Sequence, residues 1–285
     1  MQTLLLEKNV HNIEKAKPFL KWAGGKGQLL KQFEPLFPAV FNNYFEPFLG
    51  GGAVFFYLYS RGRLNNKKTI LIDSNEDLIN CYLAIKKDVN KLIEILYNEK
   101  FMNLEEIFYK IRAEDQRDMF ERAARIIYLN KTCYNGLYRV NSNGKFNVPF
   151  GGYKNPLICD IDNLEAVHMA LRSIEIISGD FNKCLEYIQP NDFIYLDPPY
   201  QPISRTSSFT SYTKDSFNEK EQERLANIIK ELDKKKCKIM LSNSYNPFIK
   251  KLYKNFRIEY VKARRSINCN GFERGEINEL VVMNY

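Results

Sequence analysis

No stretch of the 285-residue sequence is long and apolar enough to cross a bilayer, because a membrane-spanning helix needs about 20 consecutive apolar residues. The amino-terminal segment also lacks the pattern of a secretion signal, since Glu7, Lys8 and Glu14 interrupt it with charge. These absences predict a cytoplasmic protein that makes no contact with a membrane.

Metal-binding residues are scarce and scattered. The sequence has only two histidines, and its six cysteines form no CxxC pair. A structural zinc site needs closely spaced Cys and His ligands, and a disulfide framework is typical of short secreted chains with regular cysteine spacing. We therefore predict reduced thiols, no bound metal and chemistry that works without one. The cysteines are Cys81, Cys133, Cys159, Cys184, Cys237 and Cys269.

Positive charge is in excess, with a formal net charge of +8 and a pI near 9.0. A basic balance favours polyanionic partners, because neutralising phosphates releases their counterions. Many basic proteins never bind nucleic acid, so the charge supports such a partner without deciding for it.

Short apolar segments rich in β-branched and aromatic residues predict a series of buried strands. Helical patterns alternate with them, as in residues 219–235, where Leu225, Ile229 and Leu232 share one face. The alternation predicts an α/β fold whose sheet is joined by right-handed crossovers. The predicted strands are 44–46, 69–72, 174–177, 192–196, 238–241, 257–261 and 279–284.

One region breaks the alternation of strands and helices. Its pattern is helical and charged, and it then becomes a loop rich in Asn, Gly, Tyr and Arg. Within that loop, Asn143 and Gly144 separate the alternating segments 137–141 and 145–148, a combination that predicts a hairpin.

The chain is long enough for one large domain that carries an insert. We predict a discontinuous catalytic domain formed by residues 1–80 and 173–285. A helical insert at 81–172 interrupts it and bears the hairpin at 132–156.

The tetrad Asp197-Pro198-Pro199-Tyr200 directly follows a predicted strand, and ligands of open α/β sheets bind just beyond the carboxyl ends of strands. The prolines stiffen the turn and remove two backbone donors. The Asp197 carboxylate and the Pro198 carbonyl can then each accept a hydrogen bond from a planar amine, while Tyr200 offers a face for a stacked base. The tetrad therefore predicts an amine-modifying site. A proline-rich turn that ends an edge strand is the alternative.

A glycine-rich loop, Phe45-Glu46-Pro47-Phe48-Leu49-Gly50-Gly51-Gly52, follows the first predicted strand. Glycines at a strand-to-helix turn let the backbone approach a ligand closely, as in dinucleotide sites. No GK[ST] follows, which argues against a phosphate-binding loop. Tight packing alone would also explain such a loop.

Asp73, Trp22 and Lys26 extend the predicted ligand site. Asp73 comes about twenty residues after the loop, where an acidic residue binds ribose hydroxyls. Its alternative role is the N-cap of a helix at 74–80. Lys26 stands at a predicted helix start, where a cation is disfavoured unless an anion such as a carboxylate lies nearby. A solvated charge at Lys26 and core packing at Trp22, the only tryptophan, are the alternatives.

Together and in this order, the motifs resemble the DNA adenine-N6 methyltransferases of the Dam type, which modify GATC, in the family's alpha arrangement. The joint pattern covers nearly the whole chain and is far more specific than any single motif. Residues 1–17 and 266–274 have no counterpart that we can assign. The matching segments are KWAGGK at 21–26, FEPFLGGG at 45–52, LIDSNEDLINCY at 71–82, YNGLYRVN at 134–141, FNVPFGGYKNP at 146–156, GDF at 179–181, DPPY at 197–200 and ELVVMNY at 279–285.

The resemblance implies a Rossmann-like, S-adenosyl-L-methionine-dependent methyltransferase sheet with a helical DNA-recognition insert. Lys26 would lie near the methionine carboxylate and Asp73 on the ribose. Asp197, Pro198 and Tyr200 would be catalytic, with Asp197 between the cofactor and the target amine and Tyr200 stacked on a flipped base. Asp180 and Phe181 would form a wall of the adenine pocket. The predicted cofactor residues are Trp22, Ala23, Gly24, Lys26, Phe45, Glu46, Pro47, Phe48, Gly50, Gly52, Asp73, Asp180, Phe181 and Asp197.

The resemblance also implies that the hairpin reads double-stranded DNA. Arg139 matches the arginine that contacts guanine, in agreement with the bidentate grip of arginine on O6 and N7. Asn135 and Leu137 match base-contacting or intercalating positions, and an inserted apolar side chain helps to open a base step. A phosphate contact or a solvated charge is the alternative for Arg139. The predicted DNA-contact residues are Lys21, Tyr134, Asn135, Leu137, Arg139, Asn141 and Pro149.

The predicted reaction is direct methyl transfer from the sulfonium to adenine N6, without a covalent enzyme intermediate. Cytosine N4, RNA adenine and glutamine amides are alternative acceptors, because similar tetrads serve them. A DNA-binding module that has lost catalysis is the alternative from another class. A cognate restriction endonuclease would be a separate chain, and both an orphan enzyme and half of a restriction–modification system fit the sequence.

Overall fold

Seven strands in the described part of the chain form one sheet. The computed structural model describes residues 16–115, 118–200, 217–264 and 276–285. Each strand lies where the sequence predicts one, with ends that differ by at most three residues, so the predicted α/β fold is confirmed. The strands are β1 (Tyr44–Glu46), β2 (Thr69–Asp73), β3 (Glu175–Ser178), β4 (Phe193–Leu196), β5 (Lys238–Ser244), β6 (Arg257–Arg264) and β7 (Glu276–Met283).

The strand order is β3-β2-β1-β4-β5-β7-β6. The strands from β3 to β5 run parallel, and β7 lies antiparallel between β5 and β6. From β1 the chain moves outward through β2 and β3 on one side and through β4 and β5 on the other. The order therefore reverses between β1 and β4, and ligands of open sheets bind beyond the carboxyl ends of strands at such a switch point.

Both faces of the sheet are covered, which explains why the central strands β1, β2, β4 and β5 are buried at nearly every position. Along β1, Tyr44 enters one apolar cluster and Phe45 the other, as side chains that alternate along a strand must. Phe193 and Ile194 of β4 divide in the same way. Packing on both faces fixes the carboxyl ends of β1 and β4 relative to each other.

Helix α8 (Glu219–Lys234) packs with the second cluster through Leu225, Ile229 and Leu232. It starts where the sequence predicts, because the side-chain oxygen of Asn218 accepts from two backbone N–H groups of the first turn. The sheet is also flanked by α1 (Leu30–Phe33), α2 (Ala53–Ser60) and α9 (Pro247–Leu252).

A helical region lies between β2 and β3, as predicted. Small side chains let its helices approach closely, and the Cys81 thiol on one helix lies 3.8 Å from the carbonyl oxygen of Ala123 on another. The predicted boundary after residue 80 falls inside the first of these helices, and the division into two domains stays a prediction. The helices are α3 (Glu76–Lys87), α4 (Val89–Leu96), α5 (Glu105–Ala113), α6 (Met119–Thr132) and α7 (Ile161–Leu171).

The predicted hairpin is present as two isolated antiparallel bridges, Cys133 with Phe150 and Val140 with Phe146, and not as regular strands. Its turn is longer than the predicted Asn-Gly pair, because the backbone N–H of Asn141 donates to the Lys145 carbonyl at 2.9 Å. The Asn141 side-chain oxygen accepts from two backbone N–H groups of the same turn, each at 3.0 Å. These side-chain bonds replace part of the strand ladder.

The described ranges contain no helix with the length and apolar character of a membrane span. They also contain no group of three or more His, Cys, Asp or Glu side chains arranged to hold a metal ion. The five cysteines within these ranges are free thiols. Cys269 and residues 266–274 lie outside them, as do residues 1–15.

Candidate active site at the carboxyl edge of the sheet

A cleft of about 940 Å³ opens beside the switch point between β1 and β4, within the size range of small-molecule sites, roughly 300–1,000 Å³. Every predicted cofactor residue lines it except Phe45. Phe45 is fully buried in the core, because alternation along β1 turns it away from the face that carries Glu46. The structure thus brings three separately predicted motifs together in one cleft.

The glycine-rich loop between β1 and α2 forms one wall of this cleft. Gly50 and Gly52 have φ angles of 50° and 70°, in the left-handed region that favours glycine. A Cβ atom on Gly50 would lie 3.0 Å from Cδ1 of Trp22, and one on Gly52 would lie 2.8 Å from the hydroxyl oxygen of Tyr82. The loop therefore presents bare backbone to the cleft where a side chain would not fit.

Asp73 ties the glycine-rich loop to β2. Its Oδ2 atom accepts from the backbone N–H of Gly50 and its Oδ1 atom from that of Asn75, both at 2.9 Å. Asn75 is the N-cap of α3, which begins at Glu76, so the alternative interpretation of Asp73 as the helix cap is wrong. Burial raises the pKa of Asp73, and the backbone hydrogen bonds it accepts oppose that rise.

Aromatic side chains and one ion pair form another wall. Phe48 and Phe181 stack with ring centroids 5.0 Å apart, and Phe217 packs edge-on against Phe48 at 5.7 Å. Arg224 of α8 donates to both carboxylate oxygens of Asp180, at 2.9 and 2.6 Å, and its guanidinium lies 4.1 Å from the Phe181 centroid. The hydrogen bond from Arg224 keeps the pKa of Asp180 below its ordinary value. The pair fixes an anion beside an apolar ring surface.

Glu46 is a buried carboxyl group at the end of β1. Its Oε2 atom accepts from the Tyr44 hydroxyl at 2.7 Å. Burial raises the pKa of Glu46 to about 8; the hydrogen bond from Tyr44 opposes this rise, and the charges of Asp197 and Asp73 add to it. At neutral pH this side chain is mostly protonated.

Asp197, the first residue of the tetrad, follows β4 and forms an ion pair with Lys26. The Lys26 ammonium lies 2.8 Å from Oδ1 of Asp197 and donates to the Gly24 carbonyl at 2.6 Å. The anion that the sequence predicts beside Lys26 is thus, in the structure, the Asp197 carboxylate. Burial raises the pKa of Asp197 to about 6, the charge and hydrogen bond of Lys26 lower it, and the charge of Glu279 raises it.

Tyr200, the last residue of the tetrad, is held at its hydroxyl end. The hydroxyl donates to Oε2 of Glu279 on β7 at 2.7 Å, and the Lys26 ammonium lies 4.6 Å from the ring centroid. Burial raises the pKa of Tyr200 well above its ordinary value, and the charges of Asp197 and Glu279 add to the rise. The ring therefore stays neutral and faces the cleft beside Asp197.

Several residues in contact with the predicted site carry no predicted role in the sequence, among them Arg224, Gln222 and Glu279. Glu279 is the first residue of the segment ELVVMNY. Gln222 lies on the apolar face of α8, three residues before Leu225, and is fully buried. A polar residue on an apolar stripe was the one signal that could have identified it.

The predicted DNA-contact residues lie outside the lining of the cleft. Lys21 and Tyr134 are exposed, and the Lys21 ammonium lies 5.6 Å from the ring centroid of Tyr153. Asn135 is exposed with a φ of 55°, and its backbone N–H donates to the Tyr153 hydroxyl at 2.9 Å. Pro149 is also exposed. These residues form one surface around the Tyr153 ring and the base of the hairpin.

The outer hairpin carries the remaining predicted contacts. Arg139 is exposed, and its Nε atom donates to Oδ1 of Asn147 across the hairpin at 2.7 Å. Leu137 is half-buried against the core. Asn141 is exposed, but its side-chain oxygen is engaged in the turn, as described above. Asn147 is a further residue without a predicted role, and it orients the arginine.

One aromatic contact joins the cleft to the hairpin. The Trp22 indole stacks on the Tyr138 ring with centroids 5.1 Å apart and an interplanar angle of 30°. The Tyr138 hydroxyl donates to Oδ2 of Asp77 on α3 at 2.8 Å. The ring of Tyr138 is therefore fixed, and the hairpin is anchored beside the glycine-rich loop.

Comparison with known proteins shows which family the chain matches. Residues 22–267 match the family described as D12 class N6 adenine-specific DNA methyltransferase. The chain is 49% identical to the type II methyltransferase M.MjaIII of Methanocaldococcus jannaschii, over 94% of this chain and 99% of that protein. It is 44% identical to the type II methyltransferase M1.LlaDCHI of Lactococcus lactis subsp. cremoris, over 99% of each chain. It is 34% identical to the DNA adenine methylase of Escherichia coli K12, over 95% of this chain and 96% of that protein.

Proposed function

Because the chain belongs to the D12 class of N6 adenine-specific DNA methyltransferases, we propose that it methylates the N6 amine of an adenine flipped out of duplex DNA, within the sequence GATC. The methyl donor is S-adenosylmethionine. The observation that carries the proposal is that the tetrad and the glycine-rich loop line the same cleft, so that Asp197 of the tetrad and the loop face one space. Separate sites for the two motifs would not support transfer between donor and amine.

The residues of the cleft fit S-adenosylmethionine. The loop at Gly50 leaves backbone where a Cβ would meet Trp22. The Asp73 carboxylate suits ribose hydroxyls, and the stacked rings of Phe48 and Phe181 offer an apolar surface to an adenine. When bound, S-adenosylmethionine supplies an electrophilic methyl group on its sulfonium.

We assign the activation of the amine to Asp197 and the Pro198 carbonyl, both of which accept hydrogen bonds from it; the proton that N6 loses on methyl transfer passes to the Asp197 carboxylate and then to solvent. With a pKa raised to about 6, Asp197 is mostly ionised at neutral pH and can hold the amine by hydrogen bonds. Lys26 already contacts Oδ1 of Asp197, so an arriving amine shares or displaces that contact. Tyr200 supplies the stacking surface that keeps the base in line. Positioning and polarisation of this kind provide the main rate enhancement.

We assign target recognition to the helical insert and its hairpin. Asn147 holds Nε of Arg139 in place, and an oriented guanidinium suits the paired acceptors of guanine. Burial lowers the pKa of Lys131, the charge of Asp160 opposes this, and the charges of Lys21 and Lys17 lower the pKa further. The three lysines at the base of the hairpin outnumber this one carboxylate, and their excess positive charge suits a phosphate backbone.

Methyl-acceptance assays test the proposal directly. The protein is incubated with tritiated S-adenosylmethionine and with duplex DNA, RNA or protein, and the labelled nucleosides are separated. The expected product is N6-methyladenine in DNA alone. Label in cytosine, RNA or protein would overturn the assignment of the substrate. A calorimetric titration that finds no binding of S-adenosylmethionine would instead point to a DNA-binding module without catalysis.

The target sequence and the partner need their own tests. Treated DNA should resist an endonuclease that cuts only unmethylated GATC, and cleavage at every site would refute that sequence. Two of the relatives are named type II methyltransferases, which supports a restriction endonuclease on a separate chain as the partner. Extracts of the source cells should then cut unmethylated GATC sites and spare methylated ones.

A further inference from the structure

A fully buried amide, Gln222, contacts the tetrad turn from α8. Its Nε2 atom donates to the Pro199 carbonyl at 2.9 Å, and its Oε1 atom accepts from Nδ2 of Asn243 at 3.1 Å. Asn243 on β5 is also fully buried, and its Oδ1 atom accepts from the backbone N–H of Ser244 at 2.8 Å. A chain of amides therefore runs from β5 through α8 to the tetrad.

The orientation of this chain is fixed by chemistry. A proline carbonyl can only accept, so Gln222 must turn its NH₂ group toward Pro199 and its oxygen toward Asn243. Reversing either amide would place two acceptors or two donors face to face in the core. Leaving a buried polar group unsatisfied is costly, so the observed arrangement is strongly preferred.

The contact acts on the peptide that carries Tyr200. The Pro199 carbonyl belongs to the peptide plane between Pro199 and Tyr200, and the direction of that plane sets where the Tyr200 side chain points. Glu279 holds the other end of the same residue through its hydroxyl, at 2.7 Å. Tyr200 is thus held at its backbone by Gln222 and at the tip of its ring by Glu279.

We propose that Gln222 is a positioning residue for methyl transfer, which orients the Pro199–Tyr200 peptide so that the Tyr200 ring and Asp197 receive the target base together. This inference rests on the proposed roles of Asp197 and Tyr200. Gln222 does not belong to the lining of the cleft, so it acts through the tetrad and leaves the binding of S-adenosylmethionine unchanged. A misplacement of reacting groups by about 1 Å can lower a rate about a hundredfold.

Gln222→Glu provides the sharpest test, because it alters one donor group. The protonated glutamic acid can still donate to Pro199, whereas the ionised form turns an oxygen toward the carbonyl oxygen. Single-turnover methyl transfer on a GATC duplex should therefore fall by about tenfold per pH unit above the pKa of the new carboxyl group. Wild type and the exposed control Glu223→Gln should lack this fall.

Gln222→Met provides a second variant of similar length that cannot donate at any pH. Its single-turnover rate should fall by about a hundredfold at all pH values, with the dissociation constant for S-adenosylmethionine unchanged. If Gln222 only fills the core, both folded variants will transfer methyl at wild-type rates with wild-type pH profiles, and the inference is wrong. A rate loss that is matched by weaker S-adenosylmethionine binding also contradicts it.

Asp197→Asn, measured alongside, separates this inference from the proposed function. Wild-type turnover in Asp197→Asn would refute the assigned role of Asp197. An inactive Asp197→Asn together with unaffected Gln222 variants would refute the role of Gln222 alone.

Discussion

The ammonium nitrogen of Lys26 lies 2.8 Å from the Oδ1 atom of Asp197, so a residue from the first motif of the chain contacts the tetrad directly. The pair is almost entirely enclosed on the lysine side, where only 5% of the side chain is exposed. Screening by solvent is weak for such a pair, so the lysine charge opposes the larger effect of burial, which raises the pKa of the carboxylate.

Lys26→Met should raise the pKa of Asp197 above its present value of about 6, because it removes the positive charge that lowers it. If the ionised carboxylate is the reactive form, the acid limb of the kcat–pH profile will move to higher pH. The measurement needs saturating S-adenosylmethionine, because Lys26 is also predicted to lie near the carboxylate of its methionine part. Lys26→Arg keeps the charge and should move the acid limb less. If the limb does not move in Lys26→Met, the group that titrates in the profile is not Asp197.

Glu46→Gln should change how stability depends on pH. The folded chain keeps a proton on Glu46 up to a pKa of about 8, whereas the ordinary value is 4.5. Between these values the unfolded chain releases a proton that the folded chain retains, so the free energy of unfolding decreases as pH rises. The variant lacks this decrease. Urea unfolding at several pH values should therefore show that its free energy of unfolding rises relative to that of wild type as pH increases. Parallel curves, with exposed Glu223→Gln as the control, would contradict the raised pKa.

Arg139→Ala should relax recognition at one guanine of the target and cost about 1–3 kcal/mol there. Asn147→Ala should give a smaller loss at the same position, because it frees the guanidinium that Asn147 now orients. Lys145→Ala, which removes an exposed hairpin cation, should instead weaken binding evenly and reduce the salt dependence. Binding to duplexes with single base changes measures all three, and an even loss in Arg139→Ala would make this residue a phosphate contact.

Tyr200→Phe and Glu279→Ala should lower the methylation rate by similar factors, and the double variant should be no slower than either. Measured at a pH well above the pKa of Asp197, where losing the Glu279 charge does not change the ionisation of Asp197, both single changes act by removing the same hydrogen bond, and hydrogen bonds to charged groups contribute about 1.5–3 kcal/mol. Phenylalanine keeps the stacking surface, so binding of the duplex should change little. Additive losses in the double variant would mean that the two residues act independently.

Much of the fold follows from local patterns. The strands β1, β2 and β4 and the first half of β5 are short apolar runs between turn signals, and burial on both faces of the sheet is enough to produce such runs. The start of α8 was predictable because Asn218 is a good N-cap residue. The hairpin turn was predicted less well, because the side chain of Asn141 binds backbone groups that a regular ladder would use.

The contacts within the site could not be predicted in the same way. Lys26 and Asp197, or Gln222 and Pro199, are far apart in sequence, and only the strand order brings them together. The motifs indicate which residues share a site but not which of them pair. Asp73 illustrates the limit: its place at the end of β2 allowed both a ligand-binding role and a helix cap, and only the start of α3 at Glu76 excludes the cap.

Trp22 is the only tryptophan of the chain, and its ring contacts both the glycine-rich loop and Tyr138. Indole absorption and emission in this protein therefore come from a single place, the junction of the cleft and the hairpin. The protein carries its own optical probe between the site proposed for S-adenosylmethionine and the surface proposed for DNA, and intrinsic fluorescence should follow the binding of either one without any attached dye.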